Sequence, residues 1–506
     1  MLDKSSYKLV TFQPIWEPYN HEAETHCAAV INDLGLATMG ITGQKNRLLV
    51  ASFLKASTLV KRKQPREGDE GENALPVHLG VSRSASSWSR YPLVGKDIAI
   101  AFINRLVEAN WIIQVEGSGS RGFELDEETG KWTANPTMTM YHLDDSVIFE
   151  NATGAERYLQ VGRPYAKING VEARGQRQHR KAKGLGKPTI SRIESKKQFG
   201  IKYILAERRV KALNDFWRLH PLVLWDGNAA ASATRVFHDS RIDAGGRFYG
   251  LWTGLEGPLR LKSTIDGMQV CQIDIKGSQP TLLSSLLGVK LIGVLDQGAR
   301  YDVDTWYDVY TQITGLWQHG VTHEACIASS NDPSIPDPFI RPRKIAKGSV
   351  MEMIGLGNAD KARPSSDLKA ETGVTDFEWD FFKERLIEAI PALKQLEPRY
   401  DEEGNVSGYI NGPGFLSYHE SEMILQTIET LHSQGIPAYP MHDCLIVKLD
   451  DVHEGVKALR ENVQNYCYEL SGLKVSVPLT IETSDPNFKF SDIGFHPDDL
   501  RGQYVQ

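Results

Sequence analysis

The pattern of apolar and polar positions predicts helices near the start of the chain and a mixture of strands and helices later. Apolar residues recur at helical spacing in "AETHCAAVINDLGL" and "QKNRLLVASFLKASTLVK", so residues 1–70 are predicted to be mainly helical. Beyond residue 200, "MQVCQIDI" is a predicted strand, and "TLLSSLLG" and "SEMILQTIETLHSQ" are predicted helices. In "GIPAYPMHDCLIVKL", a His-Asp pair lies between two apolar runs, which indicates a strand, a turn and a second strand. We therefore expect an α+β fold.

Residues 94–136 combine a helix with two short strands. Ile98, Phe102 and Leu106 fall on one helical face, and "WIIQVEG" and "GFELD" are predicted strands that "SGSRG" would join. A helix followed by a two-stranded wing resembles the winged-helix relatives of the helix-turn-helix family. This resemblance implies that the helix at 95–109 reads a major groove. The alternative is a structural helix–hairpin unit without DNA contact.

Composition indicates a soluble globular protein, because 41% of the 506 residues are hydrophobic and 24% are charged. No apolar run reaches the roughly 18 residues of a transmembrane helix, so we expect no membrane partner. The five cysteines are scattered and form no Cys-x-x-Cys pair. This favours a reducing, cytoplasmic setting over a zinc site or a disulfide framework.

Positive charge is concentrated in one segment. The net charge is −7, yet residues 156–209 hold 15 Lys and Arg against 4 Asp and Glu. Such a segment can follow a phosphate backbone, and the alternative is a solvated linker. The expected domains are a helical N-terminal region (1–75), a winged-helix-like DNA-binding domain (76–150), a basic connector (151–200) and a large α+β domain (201–506).

Two carboxylates are candidates for metal binding in the large domain. Asp274 closes the apolar strand "MQVCQIDI", and Asp443 belongs to the His-Asp pair between apolar runs. Carboxylates that are brought together repel each other unless a cation lies between them. Mg²⁺ is the expected ion, because it prefers oxygen ligands and keeps water molecules for substrate phosphates, and Mn²⁺ is the expected substitute. Taken alone, Asp274 is also explained as a cap of the following helix.

A basic helix is predicted between these two carboxylates. In "RPRKIAKGSVMEMIGLG", Arg343, Lys347, Val350 and Ile354 follow one another at helical spacing. The two cations suit a triphosphate, and the apolar residues of the same face would lie under a base. The alternative is an exposed basic helix without a ligand.

In chain order, these segments resemble motifs A, B and C of the family A DNA polymerases and of the related single-subunit RNA polymerases of phages and mitochondria. Motif A is similar to "QIDIKGSQPTLLSSL", motif B to "RPRKIAKGSVMEMIGLG" and motif C to "YPMHDCLIVK". "KGSVM" and "GGRFY" resemble the RNA polymerase branch, and "FLSYHESEMILQTIETLHSQGIP" resembles the helix before motif C. The resemblance spans residues 235–450. Its combination with a winged helix is similar to proteins of bacterial mobile elements and phages.

The resemblance implies a fold and a metal centre. The fold would be a right-hand polymerase palm, which is an antiparallel sheet with helices, together with fingers. Asp274 and Asp443 would bind two Mg²⁺ ions, with the Ile275 carbonyl as a further oxygen ligand.

The resemblance also implies roles in substrate binding. Arg343 and Lys347 would hold the triphosphate and offset charge in the transition state. The other residues implied to lie near the primer, the template or the nucleotide are His442, Arg247, Tyr249 and Glu420.

Three positions depart from the family pattern. Cys444 follows the His-Asp pair, where many family A DNA polymerases have Glu and the RNA polymerases lack it. Gly355 occupies the usual position of the motif B tyrosine, which questions base stacking and sugar selection. Gln279 lies five residues after Asp274, where the DNA enzymes carry a Glu that excludes a 2′ hydroxyl and the RNA enzymes a small residue. Gln279 as this gate favours deoxynucleotides, whereas "KGSVM" and "GRFY" favour ribonucleotides.

The expected function is template-directed nucleotidyl transfer, with a DNA template and primer and nucleoside triphosphates as partners. We favour a DNA-dependent DNA polymerase without proofreading, since "DEET" has no accompanying exonuclease motifs. The alternatives are a single-subunit-type RNA polymerase or primase, and a catalytically inactive DNA-binding protein of replication or regulation. A metal-dependent nuclease would also use two carboxylates, but it does not explain Arg343 and Lys347.

Overall fold

The chain forms two compact units, which are described separately. The first comprises Met1–Arg235 and Tyr249–Asp266, and the second comprises Val236–Phe248 and Gly267–Gln506. The structure, a computed structural model, describes residues 8–65, 75–82, 85–115, 122–125, 132–135, 138–144, 152–171, 188–287, 324–325, 328–329, 334–336, 338, 340–396, 399–400, 406–408, 412–472, 477–485 and 487–496. Much of the basic segment, residues 172–187, lies outside these ranges.

The described α-helices are α1 (His21–Asp33), α2 (Gly43–Lys63), α3 (Ala85–Trp88), α4 (Lys96–Glu108), α5 (Arg192–Leu219), α6 (Gly257–Arg260), α7 (Ser278–Leu286), α8 (Ile340–Leu356), α9 (Ser366–Thr372), α10 (Asp376–Ala389), α11 (Gly412–Ser433) and α12 (Val452–Ser471). Short 3-10 helices cover Leu36–Met39, Trp252–Gly254, Pro391–Leu396, Leu449–Asp451 and Phe490–Ile493.

The described strands are β1 (Lys8–Thr11), β2 (Trp16–Pro18), β3 (Val77–Val81), β4 (Ile112–Gln114), β5 (Gly122–Leu125), β6 (Trp132–Asn135), β7 (Thr139–Leu143), β8 (Tyr158–Gln160), β9 (Ala166–Asn169), β10 (Thr189–Ile190), β11 (Leu222–Val223), β12 (Ala229–Ala230), β13 (Thr234–Phe237), β14 (Gly245–Tyr249), β15 (Thr264–Ile265), β16 (Met268–Ile275), β17 (Arg399–Tyr400), β18 (Val406–Gly408), β19 (Ala438–Met441), β20 (Cys444–Lys448) and β21 (Leu479–Glu482). The chain is thus a mixed α and β structure.

The first unit contains two sheets that pack against α2. One sheet has the strand order β1, β3, β7, β4, and the other joins β2, β8, β12, β11 and β15 in that order. The apolar face of α2 lies on β2 and β3, and buried Phe53 on this helix meets the ring of Phe102 on α4. Burial of such aromatic side chains is the main stabilising term in a core of this kind.

The strand pairing after α4 differs from the predicted hairpin. β4 pairs antiparallel with β7, with Ile112 opposite Leu143, whereas β5 pairs with β6, with Leu125 opposite Trp132. The predicted pairing of "WIIQVEG" with "GFELD" is therefore wrong. The reason for this difference is local. The polar sequence "DEETGK" between β5 and β6 is typical of a hairpin turn, so β5 pairs with the next strand along the chain. β4 then pairs with the more distant "TMYHL".

The second unit is built on an antiparallel sheet with the strand order β19, β20, β16, β21. β16 pairs with β20 from Val270 to Asp274 and with β21 from Gln272 to Ile275. Because side chains alternate between the two faces of a strand, Ile273 and Asp274 face opposite ways. The two faces of this sheet therefore differ in chemistry.

Helix α12 covers the apolar face of this sheet. It packs against β16 and β20 as well as α7 and α11, and its stripe of Val452, Val456, Leu459 and Val463 is buried. A Cβ atom at Gly455 would lie 2.7 Å from Cδ1 of Ile273, so glycine is what lets the helix approach the sheet. The opposite face, which carries Asp274, remains available for a site.

Helix α8 packs against α9, α10 and α11. The close approach to α9 depends on glycine in "KGSVM", since a Cβ atom at Gly348 would lie 2.6 Å from Cδ1 of Leu368. Within the described ranges, no helix is both long and apolar enough to cross a bilayer. The four expected domains, the winged helix and the fingers stay predictions.

Candidate active site

A tight turn between β19 and β20 carries the His-Asp pair. Met441 pairs with Cys444, so His442 and Asp443 alone connect the two strands. His442 has a φ of 57°, in the left-handed region, which costs a non-glycine residue about 1 kcal/mol. The tight hairpin imposes this conformation, and strained backbone of this kind is more frequent at functional sites than elsewhere.

The β16–β20 pairing brings the two predicted metal ligands together. Asp274 lies opposite Cys444 in the register, and Asp443 directly precedes Cys444. One ligand atom from each of Asp274, Asp443 and Cys444 lies within 4.8 Å of the other two. The Cys444 thiol donates a hydrogen bond of 2.6 Å to Oδ1 of Asp274.

The two carboxylates are held where ionisation is unfavourable. Burial raises the pKa of Asp274 to about 6, and Asp443 adds to this shift, whereas Cys444 and Lys347 oppose it. Burial also raises the pKa of Asp443, against the effects of a backbone hydrogen bond and of Arg247. Two acids with raised pKa values beside a common cavity indicate a candidate functional site.

A cavity of about 690 Å³ lies over this pair. Asp274, Asp443 and His442 contribute to one part of its lining, and the α8 cations Arg343 and Lys347 contribute to another. Acidic and basic groups therefore border the same space. The volume lies within the usual range for a small-molecule site.

The apolar residues of α8 do not have the predicted role. Val350 and Ile354 are fully buried in the core, whereas Arg343, Lys347 and Met351 line the cavity. The cavity face follows a spacing of four residues, and the neighbouring stripe faces the core. The prediction that Val350 and Ile354 lie under a base is therefore wrong, and the apolar α8 residues at that surface are Ile340 and Met351.

Glu420 is a buried partner of Arg247. Its side chain is fully buried, with Oε2 accepting from Nε of Arg247 at 2.9 Å and Oε1 accepting from the Ser278 hydroxyl at 3.1 Å. Burial raises the pKa of Glu420 to about 7, and Asp443 adds to the shift. Since Arg247 lines the cavity and Glu420 does not, Glu420 acts on the site through Arg247.

The other predicted residues divide into two groups. Gln279 and Ile275 line the cavity, and the buried Oε1 of Gln279 receives no hydrogen bond from any described residue. Tyr249 falls in the first unit and is not part of the cavity lining, so its role stays a prediction. Gly355 is exposed and also lies outside the lining.

Sequence reasoning missed two polar residues of β21. Thr480 and Glu482 line the cavity, while Leu479 and Ile481 of the same strand are buried. The strict alternation in "LTIE" is the pattern of a half-buried strand and would have predicted this element. It could not have predicted that the polar face meets Asp274.

The donor set suits a hard divalent cation. Two carboxylates lie together, and among the residues that the structure describes neither forms an ion pair. Oxygen ligands of this type favour Mg²⁺ or Mn²⁺, which also retain water molecules that substrate oxygens can replace. The protonated thiol of Cys444 serves as a hydrogen-bond donor in this arrangement rather than as a ligand.

Comparisons with known proteins give little further information. No protein family and no curated protein matches the chain by sequence. Among solved structures, the chain is similar to the POL domain of Pol1 from M. smegmatis in complex with DNA primer-template and dNTP, with 14% identity and a TM-score of 0.27. The match covers 57% of this chain and 53% of that chain, about half of the polymerase domain.

Proposed function

We propose that this protein is a template-directed nucleotidyltransferase of the family A polymerase type, a DNA-dependent DNA polymerase without proofreading. The observation that carries this proposal is the single cavity that Asp274 and Asp443 share with Arg343 and Lys347. Carboxylates that hold cations, together with basic side chains on a neighbouring helix, are the two components of a site for metal-bound triphosphate. The order of the three motifs along the chain supports the same function.

Asp274 and Asp443 would hold two Mg²⁺ ions, for which the Ile275 carbonyl is a further candidate ligand. When bound, such ions activate the primer 3′ hydroxyl and neutralise charge on the triphosphate and the leaving pyrophosphate. The left-handed backbone at His442 aims Asp443 from a two-residue turn, and His442 itself lines the cavity near the proposed primer terminus.

The α8 cations would bind the triphosphate. Arg343 and Lys347 lie one helical turn apart on the cavity face, so both can reach one chain of phosphates. Arg247, held by Glu420, adds a third cation beside Asp443. A nuclease cleaving a phosphodiester has no triphosphate to bind, so this set of cations favours nucleotidyl transfer.

Residues 76–150 are proposed to form a winged helix. The order β3, α3, α4, β4, β7, with β7 between β3 and β4 in the sheet, supports this architecture. Its α4 helix has two acidic and two basic residues, and Nε of Arg105 donates to the Leu34 carbonyl within the protein. These facts favour the structural alternative for α4.

Contact with the nucleic acid backbone is instead assigned to the basic segment, residues 156–209. Its described part includes exposed Lys197, Lys202 and Arg208 on α5, which suit phosphate groups.

The function is tested by extension of a labelled primer on a DNA template with Mg²⁺, with deoxynucleotides and ribonucleotides in parallel. We expect deoxynucleotide incorporation that Asp274→Asn and Lys347→Ala reduce strongly. Lys457→Ala, which removes an exposed lysine from α12, is the matched control and should leave the rate unchanged.

The outcomes separate the alternatives. Ribonucleotide incorporation, above all without a primer, would move the assignment to an RNA polymerase or primase. Absence of any incorporation by a folded, DNA-binding protein would contradict the enzymatic proposal and favour the DNA-binding alternative.

A further inference from the structure

We propose that Glu482 is the third carboxylate of the metal centre and supplies the negative charge that Cys444 does not. This inference rests on the proposed function, since it concerns the same cavity. No sequence motif includes Glu482, and its relation to Asp274 appears only in the pairing of β21 with β16.

The strand register places Glu482 on the face that carries Asp274. Asp274 lies opposite Thr480 and Gln272 lies opposite Glu482 in the antiparallel pair. Side chains two residues apart on a strand share a face, so Asp274, Thr480 and Glu482 all point to the cavity side. Diagonal neighbours in such a pair are about 7–8 Å apart at their Cα atoms, which a glutamate can bridge to a shared ion or its water.

The charge on Glu482 is directed at this centre. Glu482 lines the cavity and raises the pKa of Asp274 and of Cys444. Glu482 is exposed, and it forms no ion pair with any described residue. Three carboxylates on one rim repel each other, and a bound divalent cation is the group that removes this repulsion.

Cys444 leaves a coordination position open. Its thiol donates to Oδ1 of Asp274, so it uses one of the oxygens of that carboxylate and supplies no negative charge. Hard cations prefer carboxylate oxygen to a protonated thiol. Glu482 lies on β21, on the other side of β16 from Cys444 on β20. It would therefore supply the carboxylate oxygen that Cys444 does not.

An unpartnered hydroxyl lies on the same face. Oγ1 of Thr480 is buried, and no described residue forms a hydrogen bond with it. Thr480 pairs with Asp274 and precedes Glu482 by two residues. A hydroxyl in this position suits a water molecule on the ion, because buried polar atoms are normally hydrogen-bonded.

The test measures binding of Mn²⁺ alone to the full chain by electron paramagnetic resonance, without nucleotide or DNA. Glu482→Gln removes the charge at nearly constant shape, and Glu469→Gln removes an exposed glutamate from α12 as the matched control. We expect Glu482→Gln to weaken Mn²⁺ binding by about 10- to 100-fold, and Glu469→Gln to leave it unchanged. Glu482→Asp, which keeps a shorter carboxylate, should restore part of the affinity.

Thermal unfolding of each variant checks that a loss of binding is not a loss of fold. If Glu482→Gln binds Mn²⁺ as the wild type does while Asp274→Asn binds none, the inference about Glu482 is overturned and the metal centre of the proposed function stands. If the folded wild type binds no Mn²⁺ at all, the metal centre and the role of Glu482 are both wrong. Equal loss in Glu482→Gln and Glu469→Gln would also overturn the proposal, since it would show a general charge effect.

Discussion

Glu207 in the first unit is buried and Asp274 in the second is half-buried, and the surroundings of these two carboxylates differ. Glu207 is 7% exposed, and Arg192 donates to both of its oxygens, with Nη2 at 3.0 Å from Oε2. Lys196 approaches the same carboxylate at 3.4 Å. Asp274 has a thiol and a second carboxylate beside it, and no ion pair within the described part of the chain.

We propose that this difference separates a structural carboxylate from a functional one. A carboxylate whose charge the protein itself neutralises needs no cation from outside the chain. A carboxylate that burial and a like charge make costly to ionise, in a cavity, is a candidate for a functional group. Exposure alone would not distinguish the two residues, whereas their partners do.

The largest expected effect is on activity. Asp274→Asn should lower the rate of nucleotide incorporation by about 1000-fold or more, because it removes a charge that positions the metal ions in the transition state. Glu207→Gln, which removes a buried carboxylate that has its own cationic partner, should leave the rate within about twofold. Single-turnover primer extension measures both. A similar loss of rate in the two variants would contradict the distinction between a structural and a functional carboxylate.

The second effect is on the free energy of unfolding, which Glu207→Gln and Asp274→Asn should change in opposite directions. Without metal, Glu207→Gln should lower the free energy of unfolding by about 2 kcal/mol, since it leaves Arg192 without its partner. Asp274→Asn should raise it by about 1–3 kcal/mol, because the pKa of Asp274 is raised to about 6 and its ionised form is unfavourable in the fold. This gain in the free energy of unfolding should be complete above about pH 6. It should vanish below about pH 4, where the Asp274 carboxyl of the wild type is protonated in both the folded and the unfolded state.

Denaturant unfolding with a metal chelator present measures these differences. Destabilisation by Asp274→Asn in metal-free protein would contradict the assignment of Asp274 as an uncompensated carboxylate. A shift for Glu207→Gln toward greater stability would mean that its ion pair with Arg192 is unfavourable overall.

The third effect is the pH dependence of metal binding. The pKa of Asp274 is raised to about 6, and that of Asp443 is also raised, so protons should compete with the proposed metal as the pH falls through about 6. Mn²⁺ affinity should therefore fall by about tenfold from about pH 7 to about pH 5, and calorimetry should detect proton release on binding. An affinity that is flat over this range would show that the carboxylates are already ionised well below pH 6.

The sequence predicts the local elements of the site well, because they depend on near neighbours. The apolar run that ends in Asp274 and the two runs around Asp443 are local patterns, and β16, β19 and β20 follow them closely. The strand β4 illustrates the limit, since its partner β7 is separated from it by the β5–β6 hairpin. Strand pairing is a tertiary property that periodicity does not encode.

The orientation of α8 and the position of Glu482 show the same limit. Lys347 and Val350 belong to one helical stripe in the sequence, yet only contact with α10 and α11 decides where the core side ends and the cavity side begins. Glu482 requires the register of β21 on β16, which no local pattern contains. Buried partners such as Glu420 for Arg247 likewise depend on a contact between distant segments.

The smallest expected effect concerns Glu420, which shares properties with both kinds of carboxylate. It is fully buried and paired with Arg247, as a structural carboxylate is, yet its pKa is raised to about 7 partly by Asp443. Glu420→Gln would release Arg247 to pair with Asp443 and so compete with the metal. Mn²⁺ binding should weaken by about three- to tenfold, while Glu429→Gln on the same helix should not change it. Unchanged binding in Glu420→Gln, with an intact fold, would assign Glu420 to the same structural class as Glu207.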